Sequence, residues 1–137
     1  AVEAVEASEV ADVVVLNENR QVSAFIKRWS MAWQTRNIEA YFSMYAEGYS
    51  AYSYMQPSEW REWRQSRLKK PAWISVEIGP VSIVRKNKDE MLATFWQLYR
   101  SDGYQDNTLK VLLLREEGGI WKILGETNQE VRLISKE

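Results

Sequence analysis

Two hydrophobic periods divide this chain. From about Glu18 to Thr35 the apolar residues Val22, Phe25, Ile26, Trp29, Ala32 and Trp33 recur at spacings of three and four, which predicts a helix with one buried face. Lys27, Arg28 and Gln34 fall on its polar side. Asn37 is an N-cap for a second helix, Ile38 to Ala46, which carries Ile38, Tyr41, Phe42 and Tyr45 on one stripe and ends at Gly48. Tyr49 to Met55 alternates as a short strand does. Pro57-Ser58 then opens a third helix that runs to about Lys70 and is closed by Pro71.

From Ala72 onward the period is two. Ile74, Val76 and Ile78 share one strand face, and Gly79-Pro80 shifts the phase so that Val81 and Ile83 continue it, the mark of a β-bulge or sharp bend. Turns at residues 86–89, 101–103 and 117–119 separate three longer strands, Glu90 to Arg100, Tyr104 to Glu116 and Ile120 to Val131. Helices first and a meander after predict an α+β fold, with three N-terminal helices packed on a strongly bent, mostly antiparallel sheet. Residues 1–19 lack aromatics and read as an acidic linker or lead-in, in which Val13 to Leu16 would add a short strand or dock. A single domain over residues 20–137 follows.

The long strands interrupt their apolar runs with polar residues. Gln97 and Tyr99 follow Phe95 at every second position, Lys110 precedes Leu112 and Leu114 in the same way, and Glu126 closes the run Trp121-Lys122-Ile123-Leu124-Gly125-Glu126. Unpaired amides and charges are costly in a plain core, so these positions predict a shared pocket. Leu92, Trp96 and Leu98, with Leu109, Val111 and Leu113, lie on the opposite faces of the same strands. A sheet apolar on both sides must be covered twice, which predicts a homodimer through the face the helices leave open.

Composition narrows the chemistry. The chain has 137 residues, no Cys and no His, so His-based acid/base work, thiol nucleophiles and the commonest metal ligands are excluded. Carboxylates are not clustered and no phosphate-cradling or dinucleotide fingerprint is present, so neither a metal nor a cofactor is expected. Residues 1–19 hold five of the 19 acids and no base, which leaves residues 20–137 with all 18 bases against 14 acids. That mild excess suits an anionic ligand but not nucleic acid. No run of apolar residues is long enough to cross a bilayer. The start at Ala1 rather than Met suggests a processed protein or a domain cut from a longer one.

The order of elements, with Trp29-x-x-x-Trp33, Tyr41-x-x-x-Tyr45-Ala46 and the closing Trp121-Lys122-Ile123, resembles the nuclear transport factor 2-like superfamily, which includes ketosteroid isomerase and the SnoaL-like cyclases. Within it, Trp33, Tyr41, Tyr45, Trp63, Arg67, Phe95, Gln97, Tyr99, Ser101, Lys110, Leu112, Trp121, Ile123 and Glu126 form a pattern similar to the C-terminal domain of bacterial L,D-transpeptidase and L,D-carboxypeptidase cell-shape proteins. The resemblance implies a cone-shaped fold and a non-catalytic accessory domain, for ligand binding or dimerisation, in a peptidoglycan-modifying envelope protein. Such a protein is periplasmic or secreted; a free-standing domain would be cytoplasmic. Catalytic Cys and His residues of those proteins lie in another domain.

The candidate binding residues are therefore Gln97, Tyr99, Lys110 and Glu126, with Arg67 capping the opening, and Trp33 and Tyr45 facing the cavity mouth as the resemblance implies. The expected ligand is peptidoglycan-derived or another small polar molecule, zwitterionic or carboxylate-bearing. Each residue also has an ordinary reading, since Lys and Glu on adjoining strands commonly form a cross-strand pair and Arg on a helix commonly faces water. Arg61 and Arg64 read as solubilising residues around Trp60 and Trp63, and the remaining helix aromatics as core. Two alternatives stay open. One is a small-molecule isomerase or lyase, although Gly48 to Met55, where a ketosteroid-type base would lie, has no carboxylate and places Ser53 there; Glu126 with Tyr99 would have to supply acid/base chemistry. The other is a purely structural dimerisation module.

Overall fold

The computed structural model describes residues 2–137, with side chains from Val10 onward. No Gly or Pro interrupts the first 35 residues, and α1 runs unbroken from Val2 to Gln34. The lead-in is thus helical, and Val13 to Leu16 form no strand; their side chains are about half exposed. From Val22 the predicted face is buried at Val22, Phe25, Ile26, Trp29, Ala32 and Trp33. The helix ends on Arg36 at φ 56°, where Arg36 N–H and Asn37 N–H bond the carbonyls of Trp33 and Ala32. These bonds satisfy carbonyls that the helix leaves unpaired.

Helix α2, Ile38–Ser43, is capped by Asn37, which accepts from the Ala40 N–H. It stops short of the predicted Ala46 because the sheet captures the next turn. Ile123 N–H donates to Met44 O at 2.8 Å and Ala46 N–H donates to Ile123 O at 2.9 Å, making a parallel bridge at Tyr45. The strand expected at Tyr49 to Met55 does not form. Ser50 Oγ bonds both the carbonyl and the N–H of Tyr52, so side-chain bonding replaces a ladder. Helix α3 spans Pro57–Lys69 and buries Trp60 and Leu68.

Five strands follow, β1 Ile74–Ile78, β2 Ser82–Arg85, β3 Glu90–Ser101, β4 Tyr104–Glu117 and β5 Ile120–Lys136. They form one open antiparallel sheet in the order β1-β3-β4-β5, with β2 also on β3. Strands β1 and β2 lie end to end along one edge of β3. Ile78 pairs with Gln97 and Ser82 with Thr94, so one extra residue is accommodated at the Gly79-Pro80 bend, as the phase shift predicts. Strand β5 extends to Lys136, five residues beyond the expected end, because it continues to pair with the first half of β4.

Register shifts in the β4–β5 ladder bend the sheet and re-aim side chains. Ile123 pairs with Leu114, but Gly125 pairs with Leu113, leaving Leu124 as the extra residue. Inward residues therefore change from odd, Trp121 and Ile123, to even, Glu126 opposite Leu112 and Asn128 opposite Lys110. Without that bulge Glu126 would face the other side of the sheet.

The core and the lead-in should respond very differently to truncation. Ile26→Ala, at a fully buried position, is expected to cost about 2–5 kcal/mol in urea unfolding. Val13→Ala, on the exposed half of α1, should change stability by less than about 0.5 kcal/mol.

Candidate functional site

Between α3 and the open end of the sheet lies a cavity of about 1070 Å³. Its floor comes from β3 and β4, where Gln97 and Thr108 pair across the ladder and Lys110 is the next inward residue of β4. Gln97, Thr108 and Lys110 are all buried polar residues. Trp33 from α1 and Tyr99 from β3 form a wall, their rings stacked at 5.4 Å with an interplanar angle of 28°. Trp63, Arg64 and Arg67 close the helix side.

One chain of hydrogen bonds ties these layers together. Lys110 Nζ donates to Glu126 Oε2 at 2.5 Å, and Tyr45 Oη donates to Glu126 Oε1 at 2.6 Å. Tyr45 in turn accepts from Trp29 Nε1 at 3.1 Å and lies 2.9 Å from Tyr41 Oη. Tyr41 accepts from Arg64 Nε at 3.0 Å. With one proton on each phenol, the directions are set: Arg64 to Tyr41, Tyr41 to Tyr45, Tyr45 to Glu126. Both carboxylate oxygens are occupied, and the charge of Glu126 is answered by Lys110.

Electrostatics agree with that assignment. Burial by itself pushes the Glu126 carboxyl up, but Lys110, Tyr45 and Arg64 outweigh it and hold the group below its ordinary value. Burial, reinforced by the nearby Glu126 charge, raises Tyr45 well above a normal phenol. Burial also raises Tyr41, with Arg64 opposing. Both tyrosines are therefore neutral donors at physiological pH. Burial works against the Arg64 charge, yet Tyr41, Tyr45 and Glu126 raise its pKa further.

The structure brings six of the seven sequence-predicted residues to the cavity lining, namely Trp33, Arg67, Gln97, Tyr99, Lys110 and Glu126. Arg67 stacks 4.8 Å over the Trp63 ring at the mouth. Tyr45 is not in the lining; it packs on Tyr41 and Trp60 and acts through its bond to Glu126. Sequence reasoning missed Arg64 and the hydroxyl of Tyr41. Arg64 does not point into water as a solubilising residue: its guanidinium lies 4.9 Å from the Trp33 ring and 5.5 Å from Tyr41. The signal was its position, one turn after buried Trp60 and one turn before buried Leu68 on the same helical face. For Tyr41 the signal was a phenol on a core stripe, since a buried hydroxyl needs a partner.

A sequence model of the Cds6 C-terminal NTF2-like domain matches residues 21–127, and the chain belongs to this family. No curated protein sequence matches it. Among solved structures, Bd1075 of Bdellovibrio bacteriovorus is similar at 27% identity and a TM-score of 0.71, over 86% of this chain and 41% of that one. The helical cell shape determining protein Pgp2 of Campylobacter jejuni shares the fold at 20% identity and a TM-score of 0.67, over 76% and 38%. An NTF2-like protein of Pseudomonas putida shares it at 17% identity and 0.64, over 81% and 84%. The chain thus spans about two fifths of the length of Bd1075 and Pgp2. No helix among the described residues is long and apolar enough to cross a membrane.

Removing one partner from the buried pair should cost far more than removing both. Lys110→Ala is expected to destabilise the chain by about 3–5 kcal/mol because it strands the Glu126 charge; adding Glu126→Gln should recover part of that loss in urea unfolding. Because the folded pKa of Glu126 is depressed, its contribution is present above the pKa of the unfolded carboxyl and is lost as pH falls through the folded value. Thermal melts across the acid range should show a shallower loss of stability for Glu126→Gln than for wild type.

Proposed function

We propose that this chain is a non-catalytic ligand-binding domain attached to a bacterial cell-envelope protein that modifies peptidoglycan, and that its cavity takes a small polar, carboxylate-bearing fragment of that polymer. The observation that carries the reading is Gln97: its side-chain Oε1 is buried in the cavity floor with no hydrogen-bond partner. A buried acceptor left unpaired costs about 1–3 kcal/mol, and a ligand donor would satisfy it once the amide turns toward the cavity. Likeness to the cell-shape protein Pgp2 supports the envelope setting, and with it a periplasmic location.

Glu126 is better suited to holding a site than to moving protons. A general base needs a free lone pair near the substrate and a pKa near the working pH, whereas both oxygens of Glu126 accept strong donors and its pKa is lowered. The isomerase or lyase alternative has less support for that reason.

Dimerisation is a second property of the same domain. On the face of the sheet turned away from the helices, Leu92, Trp96, Leu98, Leu109, Val111 and Leu113 are only half-buried, a contiguous apolar surface of the kind that marks an interface. A second copy of the chain is the proposed cover.

Titration of the isotope-labelled domain with muropeptides should give saturable NMR shifts at Gln97, Lys110 and Glu126 that Gln97→Ala abolishes; a flat titration with folded protein contradicts the binding reading. Static light scattering should report a dimer for wild type and a monomer for Val111→Glu, and an unchanged mass would remove the sheet-face dimer.

A further inference from the structure

Lys110 and Arg64 both lie over the Trp33 indole, at 5.7 Å and 4.9 Å from its ring centre, but they differ in what answers their charge. Lys110 is paired with Glu126 at 2.5 Å. Arg64 has no carboxylate at ion-pair distance among the described residues. Its Nε is bonded to the neutral Tyr41 phenol, while Nη1 and Nη2 have no acceptor among the described residues. A half-buried guanidinium held over an aromatic wall with its outer fork unused is a receptor for a planar anion. In the same cavity lining, Gln97 Oε1 is buried and unpaired, and Gln97 itself is 3% exposed. Tyr99, the next inward residue of β3, stacks on the same indole that Arg64 covers; Arg67 and Lys70 also line the cavity without an ion pair among the described residues, but both are exposed, which leaves Arg64 as the half-buried cation of the wall.

These two groups ask for opposite things, an anion for Arg64 and a hydrogen-bond donor for Gln97. Inorganic phosphate or a simple carboxylate would answer Arg64 and leave Gln97 unsatisfied. A neutral amide would do the reverse. We propose that the cavity recognises the C-terminal end of a peptide, with the terminal carboxylate on the Arg64 fork and the last backbone N–H donated to Gln97 Oε1, which reaches the cavity surface when the amide turns about its soft terminal torsion. This rests on the ligand-binding reading above and specifies the chemical group that the site reads. The stacked Trp33 and Tyr99 rings supply an apolar flank for the terminal side chain, and the Lys110–Glu126 pair is a support of the floor rather than the anion receptor. Arg64, not Lys110, therefore sets the preference for a free carboxylate.

Changes to the ligand test this without depending on whether a variant folds. Isothermal titration calorimetry would compare N-acetyl-alanyl-alanine, in the L and D series, with its C-terminal carboxamide and with the depsipeptide in which oxygen replaces the last N–H, alongside an intact muropeptide. The free acid should bind, and both analogues should bind roughly tenfold or more weakly. The depsipeptide penalty should vanish in Gln97→Leu, and the carboxamide penalty in Arg64→Gln. Equal binding of acid, carboxamide and depsipeptide, or a silent dipeptide beside a muropeptide that binds, would overturn the C-terminal assignment and leave the binding domain standing. Failure of the muropeptide as well would overturn both.

Discussion

The buried carboxylate of Glu126 is the constraint around which the fold is arranged. A charge at that depth is tolerated only when its oxygens are fully bonded and an opposite charge is close, and each partner comes from a different part of the chain. Strand β4 supplies Lys110, the segment after α2 supplies Tyr45, α1 supplies Trp29 to hold Tyr45, and α2 and α3 supply Tyr41 and Arg64 behind it. The same bonds that satisfy the charge thus lock three helices and two strands in register with one another. The β5 bulge at Leu124 is the backbone counterpart, because it alone turns Glu126 inward.

Much of this arrangement was legible in the sequence where periodicity and burial agree. The apolar stripe of α1 from Val22 to Trp33, the Gly79-Pro80 bend and the inward set Phe95, Gln97, Tyr99 and Lys110 follow from spacing alone, because a helix or strand face is fixed by local geometry. Three features escaped that reading. The early end of α2 depends on hydrogen bonds to Ile123, about eighty residues away. The tyrosine-rich segment 49–55 has the alternation of a strand, but serine bonds its own backbone there and no neighbouring strand is offered. The helical stretch before Glu18 carries no aromatic face to signal it, since its described side chains are largely exposed.

The cavity residues show the same division. Polar residues interrupting apolar strands pointed to the floor, because strands give a binary choice of face. Arg64 was hidden in a charged helix where Arg61, Glu62 and Arg67 surround it in sequence, and only the packing of α3 through Trp60 and Leu68 decides which of these turns inward. A site built this way has an internally satisfied Lys110–Glu126 base and two unsatisfied groups, Gln97 in the floor and Arg64 on the helix side, which is the division expected where binding geometry must be held in advance of the ligand.

The most direct test of this division is the structure of the chain crystallised with a saturating muropeptide. The account predicts the ligand in the cavity, its carboxylate on the Arg64 guanidinium and an amide N–H on Gln97 Oε1, with the Lys110–Glu126 pair undisturbed. A ligand seated elsewhere, or one that binds by breaking the Lys110–Glu126 pair, would contradict it.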